Sequence, residues 1–188
     1  MEGKAIIFSA PSGAGKTTIV NKLLEKFANL KFSISATTRK PRPNESHGKD
    51  YYFLDKEDFE SRINTGELLE WEEVYEGTFY GTLNKEVERI WSEGNHVVFD
   101  VDVKGGLKLK KKFGDQALAV FVKVPSIDIL AERLSSRSTE SEEALKIRIG
   151  KAALEMQEEK NFDQVVVNES LDQAVVEAER IVLNFLAS

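Results

Sequence analysis

Short apolar runs and amphipathic stripes alternate along most of this chain. Ala5-Ile6-Ile7-Phe8 is an apolar run, and the apolar residues of Ile19-Val20-Asn21-Lys22-Leu23-Leu24 recur at helical spacing, so a strand, a loop and a helix are predicted in that order. His96-Val97-Val98-Phe99-Asp100-Val101-Asp102 is a continuous apolar run ending in two acids, as expected of a strand buried on both faces of a parallel sheet. Ala117 to Val124 and Gln164 to Asn168 predict two further strands. Helices are expected around Val87, Ile90 and Trp91, and after the stop at Pro125-Ser126, where Ile127, Leu130, Ala131 and Leu134 should face inward. Helix resumes through Ala144, Leu145, Ile147, Arg148 and Ala152, and a closing amphipathic helix runs from Leu171 to Phe185.

The stretch from about 33 to 82 breaks this rhythm. Phe32-Ser33-Ile34-Ser35-Ala36-Thr37 alternates like a half-buried strand, and Asp50 to Leu54 reads as another. Between them, Pro41 and Pro43 hold Arg39-Lys40-Pro41-Arg42-Pro43 extended. Asp55 is placed to cap a helix through Phe59 and Ile63 that Gly66 ends. Leu68 to Tyr75 and Thr78 to Thr82 return to extended structure. The predicted architecture is a three-layer parallel α/β domain with a strand-rich insertion.

With 188 residues the chain is long enough for one compact core and short for two. Hydrophobic residues make up 41% and charged residues 31%, a balance that argues against disorder or a membrane protein. No apolar run approaches the ~20 residues needed to span a bilayer. The first residues lead straight into a strand and leave no room for a signal peptide, so the cytosol is the expected location. Cysteine is absent and only His47 and His96 are present, which excludes thiolate and histidine-rich metal sites. The net charge of −6 argues against nonspecific nucleic-acid binding. Lys31 to Asp50 nevertheless carries five basic against two acidic residues, which fits either a small anionic ligand or a solvated loop.

The chemistry centres on Ser9-Ala10-Pro11-Ser12-Gly13-Ala14-Gly15-Lys16-Thr17-Thr18, a glycine loop between strand and helix. Gly13 and Gly15 let backbone N–H groups turn inward around a phosphate, and the helix opening near Lys16 adds the positive end of its dipole. Lys16 would reach the β- and γ-phosphates of a nucleotide, and the Thr17 hydroxyl would ligate Mg²⁺. Ala10 departs from the full pattern, which has glycine there. Asp100, near the end of its strand, is the candidate to assist Mg²⁺, directly or through water. Asp102 fits a ligand role or a helix N-cap equally well. The guanidinium forks of Arg39 and Arg42 suit a single phosphate. Lys104, Lys108, Lys110, Lys111 and Lys112 read mainly as a solvated helix face. Arg133, Arg137 and Arg148 flank a serine-rich break, an arrangement suited to a mobile lid.

Taken together, the loop just quoted, Ser35-Ala36-Thr37-Thr38-Arg39-Lys40-Pro41-Arg42, Gly48-Lys49-Asp50-Tyr51, Glu70-Trp71, Tyr80-Gly81-Thr82, Asp100-Val101-Asp102 and Arg133 through Arg137-Ser138-Thr139-Glu140 resemble the guanylate kinase family. The motifs fall in the family's order and cover nearly the whole chain. Ala10 is a familiar variant there, whereas Ser138 stands where the lid usually has glycine. The resemblance implies a P-loop NTPase fold in three parts: a core (1–32, 83–124 and 148–188), a GMP-binding region (33–82) and a helical lid (125–147). It implies transfer of the γ-phosphoryl group of ATP to GMP or dGMP, with Mg²⁺ as cofactor and without nucleic acid, membrane or obligate protein partners.

By the same resemblance, Ser35, Arg39, Arg42, Tyr51 and Tyr80 hold the GMP phosphate, and Glu70, Thr82 and Asp102 read guanine, with Asp100 beside them. Ser12, Gly13, Ala14, Gly15, Lys16, Thr17 and Thr18 surround the ATP phosphates together with Arg133, Arg137 and Arg148, and Asn168 lies near the adenine. The catalytic set it implies is Lys16, Arg39, Arg133, Arg137 and Arg148. An ionised Glu70 suits guanine's adjacent N1–H and N2–H₂ donors, while adenine would face it lone pair to lone pair. Tyr51 and Tyr80 have a second reading as core aromatics. The acceptor phosphate is already largely dianionic at neutral pH, so no general base is required. Two rivals share the fold: a phosphopeptide-binding module, and a P-loop kinase for a ribose bisphosphate.

Overall fold

The computed structural model describes residues 3–136 and 142–188. β1 (Ala5–Ser9) runs through the glycine loop into α1 (Lys16–Lys26), and β2 (Leu30–Phe32) follows. The inserted segment supplies β3 (Ala36–Thr37), β4 (Tyr52–Phe53), α2 (Lys56–Asn64), β5 (Leu68–Tyr75) and β6 (Thr78–Leu83). The chain then returns through α3 (Asn84–Ser92), β7 (His96–Val101), α4 (Val103–Phe113), β8 (Ala117–Lys123), α5 (Ile127–Ser135), α6 (Glu142–Met156), β9 (Gln164–Val167) and α7 (Leu171–Ala187).

The core sheet is parallel throughout, in the order β2-β7-β1-β8-β9. Every residue of β1 is buried, as its unbroken apolar run requires. Side chains alternate across a strand, so Ile6 and Phe8 join Ile19, Val20 and Leu23 of α1 and Ala178 and Val182 of α7. Ala5 and Ile7 join Val87 and Ile90 of α3 and Leu109 of α4 on the other face. Each large side chain buried here is worth about 1.5–3 kcal/mol, against at most about 1 kcal/mol for an exposed ion pair. The two apolar layers therefore fix the strands that carry the site. Register pairs Phe8 with Asp100 and Ser9 with Val101, which brings the ends of β1 and β7 to the same edge. Clefts at the carboxyl ends of parallel strands are where such folds bind ligands.

The insertion builds its own sheet, ordered β4-β3-β6-β5, around Ala36, Phe59, Leu68 and Leu83. Asp55 caps α2 as expected, accepting from the Asp58 N–H at 2.7 Å, and Gly66 follows the helix with φ 70°. Three expectations need correction. The single strand expected over Phe32–Thr37 is interrupted at 33–35, where the chain leaves one sheet for the other: the Ser33 N–H donates to Val98 O and Ser35 O accepts from the Tyr52 N–H. Ile127 is 42% exposed rather than inward-facing, because it opens α5 before Leu130 and Leu134 reach the core. The strand at 50–54 shortens to β4. No described helix is long and apolar enough to cross a membrane.

Candidate active site

A cleft of about 510 Å³ runs from the glycine loop to the inserted sheet. At the loop end, Gly13 and Gly15 adopt φ of 91° and 88°, the left-handed region that favours glycine. Ala10 sits outside that requirement: among the described residues no non-glycine has positive φ, and Ala10 packs into the core. Asn168, 5% exposed, donates from Nδ2 to Ala14 O at 2.7 Å and supports the loop from behind. A Cβ on Gly15 would lie 2.4 Å from that same Nδ2, so the support closes around glycine. From α6, Arg148 donates to Ser12 Oγ at 3.1 Å, and Glu155 lines the same cleft.

Lys16 opens α1 and is ion-paired with Asp100, while Thr17 Oγ1 donates to the other oxygen of that carboxylate at 2.6 Å. Burial pulls the Lys16 ammonium down to about 7, with the negative charges of Asp102 and Glu155 opposing. Thr17 and Asp100 are hard oxygen donors facing the cleft, a pair suited to Mg²⁺, which takes few protein ligands and fills its shell with water and phosphate. Among the described residues no cluster of three or more acids and histidines forms an all-protein metal cage.

At the other end, β5 and β6 pair Glu70 with Thr82, and Thr82 Oγ1 donates to Glu70 Oε1 at 2.7 Å. Burial pushes the Glu70 carboxyl up to about 7, opposed by the Thr82 hydrogen bond and reinforced by the Asp102 charge. Asp102 takes the helix N-cap role that its position left open. Its Oδ1 caps α4 by accepting from the Gly105 N–H at 2.8 Å, and its side chain lines the cleft. Gly106, one turn into α4, leaves room for Ser9, whose hydroxyl donates to Asp102 O at 3.1 Å.

Ser35, Arg42, Tyr51 and Tyr80 also line the cleft. The Tyr51 and Tyr80 rings meet edge-on at 6.0 Å, and the Arg39 guanidinium lies 5.2 Å from the centre of the Tyr51 ring. Arg39 donates through Nε to Tyr80 Oη at 3.2 Å, while its fork is taken by Glu45 at 2.8 and 3.0 Å. Glu45 also accepts from the Arg42 N–H at 2.8 Å, and these contacts hold its carboxyl down near about 2. Arg42 itself is 75% exposed at the rim. The two arginines expected to share one phosphate thus have different settings.

The cleft gathers Ser12 through Thr18, Ser35, Arg42, Tyr51, Glu70, Tyr80, Asp100, Asp102 and Arg148. Arg39, Thr82, Arg133 and Asn168 do not line it; Arg133 donates to Asn168 O at 3.0 Å. Arg137, with Ser138, Thr139 and Glu140, lies outside the described residues. Among the contributors that escaped the sequence reading are Glu45, Glu155 and Glu86. Glu86 is 1% exposed and accepts from the Ile34 N–H and Tyr52 Oη at 3.3 and 3.0 Å, tying the insertion to α3. An acid three residues beyond Arg42 was the only local hint, for Glu45. The lysines of α4 are less idle than a solvated face: Lys108, Lys110 and Lys112 donate to Trp71 O, Ala117 O and Leu69 O.

Comparison with known proteins agrees with this geometry. The family model for guanylate kinase matches residues 2–184. A guanylate kinase of Bacteroides thetaiotaomicron is 50% identical over 186 residues, covering 99% of this chain and 91% of that protein. One from Chlorobium chlorochromatii is 46% identical over 184 residues, covering 98% of this chain and 96% of its own length. The crystal structure of guanylate kinase from Anaplasma phagocytophilum superposes with a TM-score of 0.77 at 31% identity, covering 97% of this chain and 85% of that one. With the glycine loop and the buried Glu70 at opposite ends of one cleft, the chain belongs to the guanylate kinase family, whose members transfer the γ-phosphoryl group of ATP to GMP.

Proposed function

We propose that the two ends of the cleft are a donor site and an acceptor site, with the residues of each acting as follows. The observation that carries this reading is the continuity of the cleft from Lys16 to Glu70. ATP phosphates bind the N–H groups of the loop from Ser12 to Thr18, neutralised by Lys16 and Arg148, with Arg133 and Arg137 completing the set from the lid (125–147). GMP binds in the insertion (33–82) against the core (1–32, 83–124 and 148–188). Its base is read by an ionised Glu70, oriented by the Thr82 hydroxyl and flanked by Asp102. Its phosphate is held by Ser35, Arg42, Tyr51 and Tyr80, with Arg39 orienting the Tyr80 hydroxyl from its own pairing with Glu45. Asn168 fixes the loop beneath the nucleotide.

No group need abstract a proton, because the attacking oxygen belongs to a phosphate that is largely dianionic at neutral pH. The work is to bring two anions together in line and to neutralise the charge that moves between them. Thr17 and Asp100 would hold Mg²⁺, which when bound adds charge neutralisation across the donor phosphates. Closure of the lid excludes water and limits hydrolysis. We place this chemistry in the cytoplasm, on free nucleotides and without a nucleic-acid, membrane or obligate protein partner.

Lys16→Ala tests the division into two sites. Steady-state turnover should fall at least about 10³-fold, or ~4 kcal/mol, while calorimetry finds GMP affinity within a few-fold of the parent. A collapse of GMP affinity in that variant would refute the division.

A further inference from the structure

Glu72 lines the cleft one strand step from Glu70, on the same face of β5. Residues two apart on a strand are separated by about 7 Å. The β5–β6 register sets Glu70 opposite Thr82 and Glu72 opposite Tyr80, so Glu72 lies between the base-reading pair and the phosphate-binding hydroxyl. In a nucleoside monophosphate the sugar lies between base and phosphate by covalent connection. The Glu72 carboxylate therefore faces the level of the sugar.

A carboxylate is an unfavourable neighbour for a dianionic ligand unless something on that ligand donates to it. Apart from the base edge, already matched to Glu70, the ligand's donors are the ribose hydroxyls. Glu72 is also prepared to accept from them. Lys108 of α4 pairs with its Oε1 at 3.1 Å and donates to Trp71 O at 2.8 Å, which offsets the negative charge and fixes the side chain. Beyond that ion pair the Glu72 side chain makes no hydrogen bond among the described residues, and it lines the cleft.

We propose that Glu72 is the sugar-reading residue of the acceptor site, accepting hydrogen bonds from the ribose hydroxyls and favouring GMP over dGMP. The inference rests on the placement of GMP given above. Loss of the 2′-hydroxyl leaves the carboxylate short of a donor, while the base and phosphate contacts remain.

The test is kcat/KM for GMP and dGMP with the full chain and with Glu72→Ala, Glu72→Gln and Lys108→Met. The parent should favour GMP by about tenfold or more, the effect of one hydrogen bond to a charged group. In Glu72→Ala that ratio should fall toward unity through a raised KM for GMP, with far less change for dGMP and an unchanged KM for ATP. Glu72→Gln, which keeps a carbonyl acceptor, should retain part of the preference. Lys108→Met removes the pairing that fixes the Glu72 side chain and should raise the KM for both sugars and narrow the ratio, less than Glu72→Ala does. A ratio that persists in Glu72→Ala, or an equal loss with both nucleotides, overturns the proposal while leaving the acceptor site intact. A parent that phosphorylates neither guanine nucleotide overturns the acceptor site itself.

Discussion

The proposed base-reading role of Glu70 ties base selection to pH in a way that can be measured. In the free protein its carboxyl is held at about 7, chiefly by burial. Guanine's N1–H and N2–H₂ need both carboxylate oxygens as acceptors, so only the ionised form is competent. The ionised fraction is about 0.9 at pH 8, about 0.5 at pH 7 and about 0.1 at pH 6. The dissociation constant for GMP should therefore rise about tenfold from pH 8 to pH 6, with up to one proton released per GMP bound at the acid end. The GMP phosphate titrates near about 6 and adds roughly twofold of its own. Glu70→Gln removes the carboxyl and keeps the phosphate effect, so its profile is the baseline. Calorimetry in two buffers of different ionisation enthalpy reads affinity and proton release together. A parent profile parallel to that of Glu70→Gln, with no excess proton release, would refute the reasoning.

The same group carries a stability signature of opposite use. Its folded value lies above the unfolded 4.5, so ionisation above about pH 7 opposes folding by about 3 kcal/mol, a cost absent below about pH 4.5. Glu70→Gln should thus melt higher than the parent at pH 8 and lose that advantage toward pH 5. Asn168→Ala removes the support of Ala14 O and should cost about 1–3 kcal/mol, raising the KM for ATP more than that for GMP. Gly106→Ala places a Cβ 2.0 Å from Ser9 Oγ and should cost about 1–3 kcal/mol by overpacking, lowering the melting temperature by roughly 2–12 °C in a chain of this size.

The parts of the site legible in the sequence are those whose function is local. The glycine loop, Lys16 and Thr17 are read from spacing between an apolar run and a helical stripe, and the left-handed φ at Gly13 and Gly15 follows from that loop. Asp100 is legible because a continuous apolar run carries it to the sheet edge where register sets it beside β1. The proposed roles of Glu70 and Thr82 come from the family resemblance, and their cross-strand pairing from the fold. Glu86 and Asn168 act on residues brought near by tertiary packing, Asn168 meeting Ala14 across 154 positions, whereas Glu45 acts locally on Arg39 and Arg42, where charge alone did not single it out. The 33–35 segment misled because alternation describes which side chains are buried, and there the burial comes from passage between two sheets. Ile127 misled because periodicity counts positions on a helix face and is blind to where that face runs out of core.

The most direct measurement of the central claim is a coupled assay of ADP formation with MgATP across a panel of acceptors: GMP, dGMP, AMP, UMP, dTMP and a ribose bisphosphate. Guanine nucleotides should be phosphorylated, and AMP should be poorer in kcat/KM by roughly 10⁴-fold, because adenine presents an acceptor where the ionised Glu70 offers another. Equal efficiency with GMP and AMP would contradict the account.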